Sequence, residues 1–252
     1  MILRIMVAQV LMLVIPSMFR QVIHQNKGDA AAQPRAIDDV AHYQQQMRYR
    51  LPFDGVWYVS NGGITAETSH SWDIVAQRYA YDFVVVDETF KRWQTDGKSL
   101  DDYLCYGLPI LAPADGEVVH IWDGVRDAPH VGTGWLDVFT PNFPGNTITI
   151  KHAEKEYSFL AHLKPGRICV QIGNVVQKGQ EIAQCGNSGH STEPHLHFQL
   201  QDHADFFEAA GLPIAFDTVV IDDGNARDNV YLTAGMCVAH HTASISKKSD
   251  IG

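Results

Sequence analysis

From Val56 onward the chain consists of short runs rich in valine, isoleucine, tyrosine and phenylalanine, each broken by glycine, proline or aspartate; after Arg50 no helical period is sustained. Runs of this length and composition, with turn residues at both ends, read as strands. They fall at residues 56–59, 79–86, 109–112, 117–122, 147–152, 157–162, 181–185 and 195–201. The pattern predicts an all-β fold, a barrel or sandwich with long loops at 87–106 and 123–144. Residues 112–119 read as strand, tight turn and second strand, and residues 170–183 repeat that style with glycines where the backbone turns sharply. Residues 206–216 suggest a short helix and turn at one end of the barrel, followed by one or two further strands.

At 252 residues the chain suits one large domain or one domain plus appendages, and a net charge of -10 argues against nucleic acid as a partner. The four cysteines show no C-x-x-C spacing. Cys169 and Cys185 lie in apolar runs and read as buried thiols, with a disulfide as the alternative. The N-terminus carries an apolar run, residues 5–19, between Arg4 and Arg20. It is shorter than the roughly 20 residues that cross a bilayer. Its charged start and apolar middle are those of a secretory signal or anchor, so residues 1–20 are assigned to export or membrane attachment, with a buried helix as the other reading. Residues 21–50 read as a polar linker running into a helix over 38–49, residues 51–240 as the folded domain and 241–252 as a tail.

Three of the strand-like runs carry metal-competent or acid/base residues beside a turn. His195 and His197 are two apart, so on a strand both imidazoles face one side while Leu196 and Phe198 face the other. Asp82 interrupts an otherwise apolar run, where a carboxylate is costly unless paired or bound to a cation. His162 closes a third apolar strand just before Lys164-Pro165-Gly166. Taken singly, each has a bland reading as a surface or structural residue; together they converge on one site.

With these residues in view, the chain resembles the LytM/lysostaphin-type zinc metallopeptidases of the bacterial cell wall. The resemblance covers about residues 79–200 and rests on an ordered set of motifs: Asp82-Phe83, the hairpin from Gly107 to Val118, Ala161-His162-Leu163, Gly186-Asn187-Ser188-Gly189, and His195-Leu196-His197-Phe198. It implies a duplicated hybrid motif-like β domain of the barrel-sandwich kind. It also implies a Zn2+ held by Asp82 and His197, with His162 and His195 flanking the catalytic water. One position departs from the family pattern. Its first ligand lies four residues before the aspartate, where this chain has Arg78, and a guanidinium offers no lone pair to a metal. His70, in the polar stretch Thr68-Ser69-His70-Ser71, is the replacement expected; His120, His130 and His152 are weaker substitutes.

The function implied by this resemblance is a zinc endopeptidase acting on the peptides of peptidoglycan outside the cytoplasmic membrane. Two alternatives stand beside it. One is a degenerate domain of the same type that binds and regulates a wall hydrolase. The other is a carrier domain of phosphocarrier or lipoyl type, for which Lys178 would have to serve as the hairpin-tip lysine.

Overall fold

The computed structural model describes residues 15–69, 71–222 and 224–241. The expected strands form, several a residue or two longer or shorter than predicted. They are β1 (Val56–Asn61), β2 (Tyr81–Val84), β3 (Pro109–Leu111), β4 (Gly116–Trp122), β5 (Asn146–Ala153), β6 (Glu156–Leu163), β7 (Val175–Val176), β8 (Glu181–Gln184) and β9 (Leu196–Gln201). The C-terminal part adds β10 (Gly211–Leu212), β11 (Val219–Ile221), β12 (Asn225–Arg227) and β13 (Cys237–His240). Among the described residues the main sheet runs β12-β11-β13-β1-β2-β9-β6-β5-β4-β7, with β10 on the edge of β9, and β3 pairs with β8 in a small second sheet. The fold is mostly β, as the strand pattern requires.

The centre of the sheet is β2-β9-β6, and β9 is buried along its whole length. Its alternation works on both faces: Leu196, Phe198 and Leu200 enter the main apolar core with Phe83, Ile148 and Leu160, while His197, Gln199 and Gln201 share the other face. Burying that polar face is possible only because each of its groups has a partner.

The segment before β1 departs from expectation. Pro16–Ala32 is an α-helix, α1, with its proline in the first turn, where the missing N–H costs nothing. The helix predicted over 38–49 is reduced to a single 3₁₀ turn at Val40–His42, and residues 43–49 run irregularly. What orders this segment is not helical propensity but the buried carboxylate of Glu156. It accepts hydrogen bonds from the Tyr43 hydroxyl at 2.6 Å, the Tyr49 hydroxyl at 2.6 Å and the Gln46 amide at 2.8 Å.

The first fourteen residues of the expected anchor, and most of the tail, lie outside the described residues. The helix turn at 16–20 packs Met18 against Val138, and among the described residues no helix is long and apolar enough to cross a membrane. All four cysteines are free; Cys185 is buried as expected, whereas Cys169 is exposed.

Candidate metal centre

The antiparallel pairing of β2 with β9 sets Asp82 directly opposite His197. Cross-strand neighbours on one face of a sheet touch, and the His197 Nδ1 lies 3.1 Å from the Asp82 Oδ1. His195, one residue ahead of the strand, brings its Nε2 within 3.7 Å of the same oxygen. Asp82 and His197 are almost wholly buried.

His162 reaches the site by a different route. Between the pairs Asn146/Leu163 and Ile148/Leu160, β6 holds two residues against one on β5, which is a β-bulge. Within it His162 takes a left-handed φ of 58°, uncommon for a residue with a Cβ. Its ring lies 4.6 Å from that of His195 and 6.0 Å from that of His197, centroid to centroid. The bulge turns the ring into the groove that the other two line.

Main-chain carbonyls decide which nitrogen of each outer imidazole carries its proton. His162 Nδ1 lies 2.8 Å from the Ser188 carbonyl, and His195 Nδ1 lies 2.8 Å from the Glu193 carbonyl. A carbonyl only accepts, so both Nδ1 atoms are donors and both Nε2 atoms are left for the groove. Burial pushes the His162 pKa well below that of a free imidazole, reinforced by the neighbouring His195 and His197.

The loop presenting these carbonyls is locked in place. The Ser188 hydroxyl donates to the Leu163 carbonyl at 2.7 Å and accepts from the Asn146 amide at 2.9 Å; the Asn187 amide donates to Asp127 at 2.8 Å. Gly145 and Gly189 both have positive φ and meet backbone to backbone. A Cβ on Gly145 would stand 2.4 Å from the Ser188 carbonyl oxygen, and one on Gly189 would stand 2.4 Å from the Gly145 nitrogen.

Arg78 turns away from the groove. Its guanidinium pairs with Asp38, donates to the Trp72 carbonyl at 3.2 Å and lies 4.9 Å over the Trp72 ring. His70 lies outside the described residues. Of the weaker substitutes, His152 is held by the Asp115 carbonyl and the Ser158 hydroxyl, and neither it nor His120 or His130 lines the groove. Among the described residues no group of three His, Cys, Asp or Glu side chains forms a metal site. The two donors present nevertheless suit one. Ligand bonds of about 2.0–2.1 Å at tetrahedral angles separate two donor atoms by roughly 3.3 Å, close to the spacing of the Asp82 and His197 atoms.

Two contributors were not anticipated. His190 lines the groove with its Nε2 buried and without a hydrogen-bond partner, and burial lowers its pKa to about 4. It stands inside the same glycine-marked turn as the motif residues, which was its only signal. The other is α1, whose Val22, Gln25 and Asn26 form one wall of the roughly 500 Å³ groove.

Residues 98–209 match Peptidase family M23. This stretch is an M23 peptidase domain of the LytM/lysostaphin type. Its matched span includes His162, His195 and His197 and begins after Asp82, which the β2–β9 pairing brings in. An "uncharacterized metalloprotease" of Haemophilus influenzae is 29% identical over 41% of this chain and 18% of its own length. The peptidoglycan DD-endopeptidase ShyA of Vibrio cholerae is 35% identical over 30% of this chain and 21% of its own. The match thus spans about a fifth of these relatives. Among solved structures, a zinc-containing peptidase from Vibrio cholerae aligns with 66% of this chain and 41% of its own at 22% identity and a TM-score of 0.38.

Proposed function

We propose that the M23 domain is a zinc-dependent endopeptidase that hydrolyses peptide bonds of peptidoglycan outside the cytoplasmic membrane. The observation that carries this reading is the convergence of Asp82 and His197 at 3.1 Å beside two imidazoles whose Nε2 atoms are left for the groove. Asp82 and His197 are the residues that would hold the zinc, with His70 as the proposed third ligand. When bound, zinc supplies Lewis acidity that brings the pKa of water to about 7.

His195 and His162 do the proton work. Each has its Nδ1–H pinned to a carbonyl and its Nε2 turned to the groove, so a neutral ring can take a proton from the attacking water without reorienting. The protonated imidazole then has a proton to return to the leaving amine, and the second imidazole, in the form that carries a proton on Nε2, can donate to the carbonyl oxygen as charge develops there. The groove between α1 and the β9 face is walled largely by apolar and amide side chains, which suits an extended peptide. The kinship with ShyA supports a peptidoglycan substrate.

A second reading, a non-catalytic domain that regulates a wall hydrolase, draws on Arg78 at the position where the family has its first ligand. The carrier reading loses support because Lys178 Nζ is bound to the Arg48 carbonyl at 3.0 Å. Incubation with purified sacculi, followed by mass analysis of the released fragments, separates the two remaining readings. The peptidase should release peptide-cleaved fragments, stop on addition of chelator and be inactive as Asp82→Ala; intact sacculi with a folded, zinc-loaded protein would favour the regulator.

A further inference from the structure

His197 is bonded on both sides, and the side remote from Asp82 carries information. Its Nε2 lies 3.0 Å from Gln199 Oε1; Gln199 Nε2 lies 2.7 Å from Gln201 Oε1; Gln201 Nε2 lies 2.8 Å from the His203 carbonyl. Gln199 and Gln201 are fully buried. An amide side chain read alone can be turned end for end, but this series ends on a main-chain oxygen, which can only accept. The Gln201 NH₂ must therefore point at His203. Its Oε1 then faces Gln199 and receives the Gln199 NH₂, and the Gln199 Oε1 faces His197 Nε2, which must carry a hydrogen. Reversing any one member would set two acceptors against each other inside the sheet.

We propose that Gln199 and Gln201 are positioning residues that hold a proton on Nε2 of His197, so that Nδ1, 3.1 Å from Asp82 Oδ1, is the nitrogen presented to a metal the two side chains would share. The period of the strand makes this possible, because residues 197, 199 and 201 share one face. The arrangement is the inverse of that at His162 and His195, where carbonyls hold Nδ1–H and leave Nε2 for the groove. One sheet thereby holds a metal-type tautomer next to two base-type tautomers.

The inference rests on the reading of His197 as a zinc ligand, and its test keeps the two apart. Nitrogen-resolved NMR of the full chain, metal-free and zinc-loaded, reports which His197 nitrogen bears the proton. Chelator-competition titration then measures zinc affinity for the wild type, Gln199→Leu, Gln201→Leu and Gln199→Glu, with melting curves to register any purely structural effect. The expected result is a proton on Nε2 and a zinc affinity 10–100-fold lower in Gln199→Leu, the range typical for outer partners of metal-bound histidines. Gln201→Leu should show a smaller loss, and Gln199→Glu, which keeps the acceptor for Nε2–H but sets its second oxygen against Gln201 Oε1, should fall between wild type and Gln199→Leu. A proton on Nδ1 alone, or zinc affinity unchanged in a folded Gln199→Leu, would overturn the proposal. If that variant does not fold, the wild-type NMR decides. Failure of the wild type to bind zinc would instead remove the reading of the site, leaving the proton position to judge the amide series alone.

Discussion

A histidine's inward nitrogen is set by what its outward nitrogen touches, and in this domain the outward contacts are unambiguous. His162 and His195 each face a carbonyl through Nδ1, so each turns its Nε2 toward the groove. His190 offers a different test. Its pKa falls from 6.5 to about 4 because burial disfavours the charged ring. The unfolded chain therefore takes up this proton first as the pH drops. The stability tied to a neutral His190 is complete above pH 6.5 and is lost as the pH falls toward 4, on the order of 3 kcal/mol in all. His162 acts in the same direction. Thermal melting should fall across that window, and His190→Gln should flatten the fall; an unchanged slope would place the pH dependence elsewhere. The sequence made His162, His195 and His197 legible because each sits in a short motif. His190 was hidden because a lone histidine in a polar turn carries no spacing, and only burial gives it meaning.

At the scale of elements, the strands up to β9 were readable almost to their ends, since a buried sheet imposes β-branched and aromatic runs and glycine-marked turns; after β9, four short strands form where one or two were expected, and β10 falls inside the helix and turn expected over 206–216. The N-terminal part was not. Whether a polar, alanine-rich stretch is a linker or a docked helix depends on its distant partners, and those of α1 lie on other loops: the Gln21 side chain accepts from the Phe143 amide and donates to the Thr140 carbonyl, and His24 stacks on Phe207 at 4.6 Å. Gly28 marks the tightest approach, because a Cβ there would stand 1.5 Å from the Phe207 carbonyl oxygen. Gly28→Val should lift α1 from the groove, seen as faster proteolysis within residues 16–35 with little change in melting of the β domain. Undisturbed protection would show that the helix tolerates the shift. Glu156→Ala should act instead on the segment 43–49 ahead of β1. Removing a buried acceptor that serves two tyrosines and the 46–47 backbone is expected to cost about 3–5 kcal/mol, read from denaturant unfolding.

For the whole molecule, the sheet order explains how distant motifs become one centre. Asp82 and His197 are far apart in sequence and adjacent across β2 and β9, while His162 enters from β6 on the other side of β9. The motif order anticipated this meeting; the bulge that turns His162 and the amide series behind His197 are products of long-range packing. The central claim is that Asp82 and His197 form part of a zinc site. Elemental analysis of the purified full chain after dialysis against zinc tests it most directly. Close to one zinc per chain is expected, lost in His197→Ala and Asp82→Ala while both variants keep the circular dichroism of the wild type; a folded wild type carrying no zinc, or a His197→Ala variant that retains it, would show that these two residues do not hold a metal.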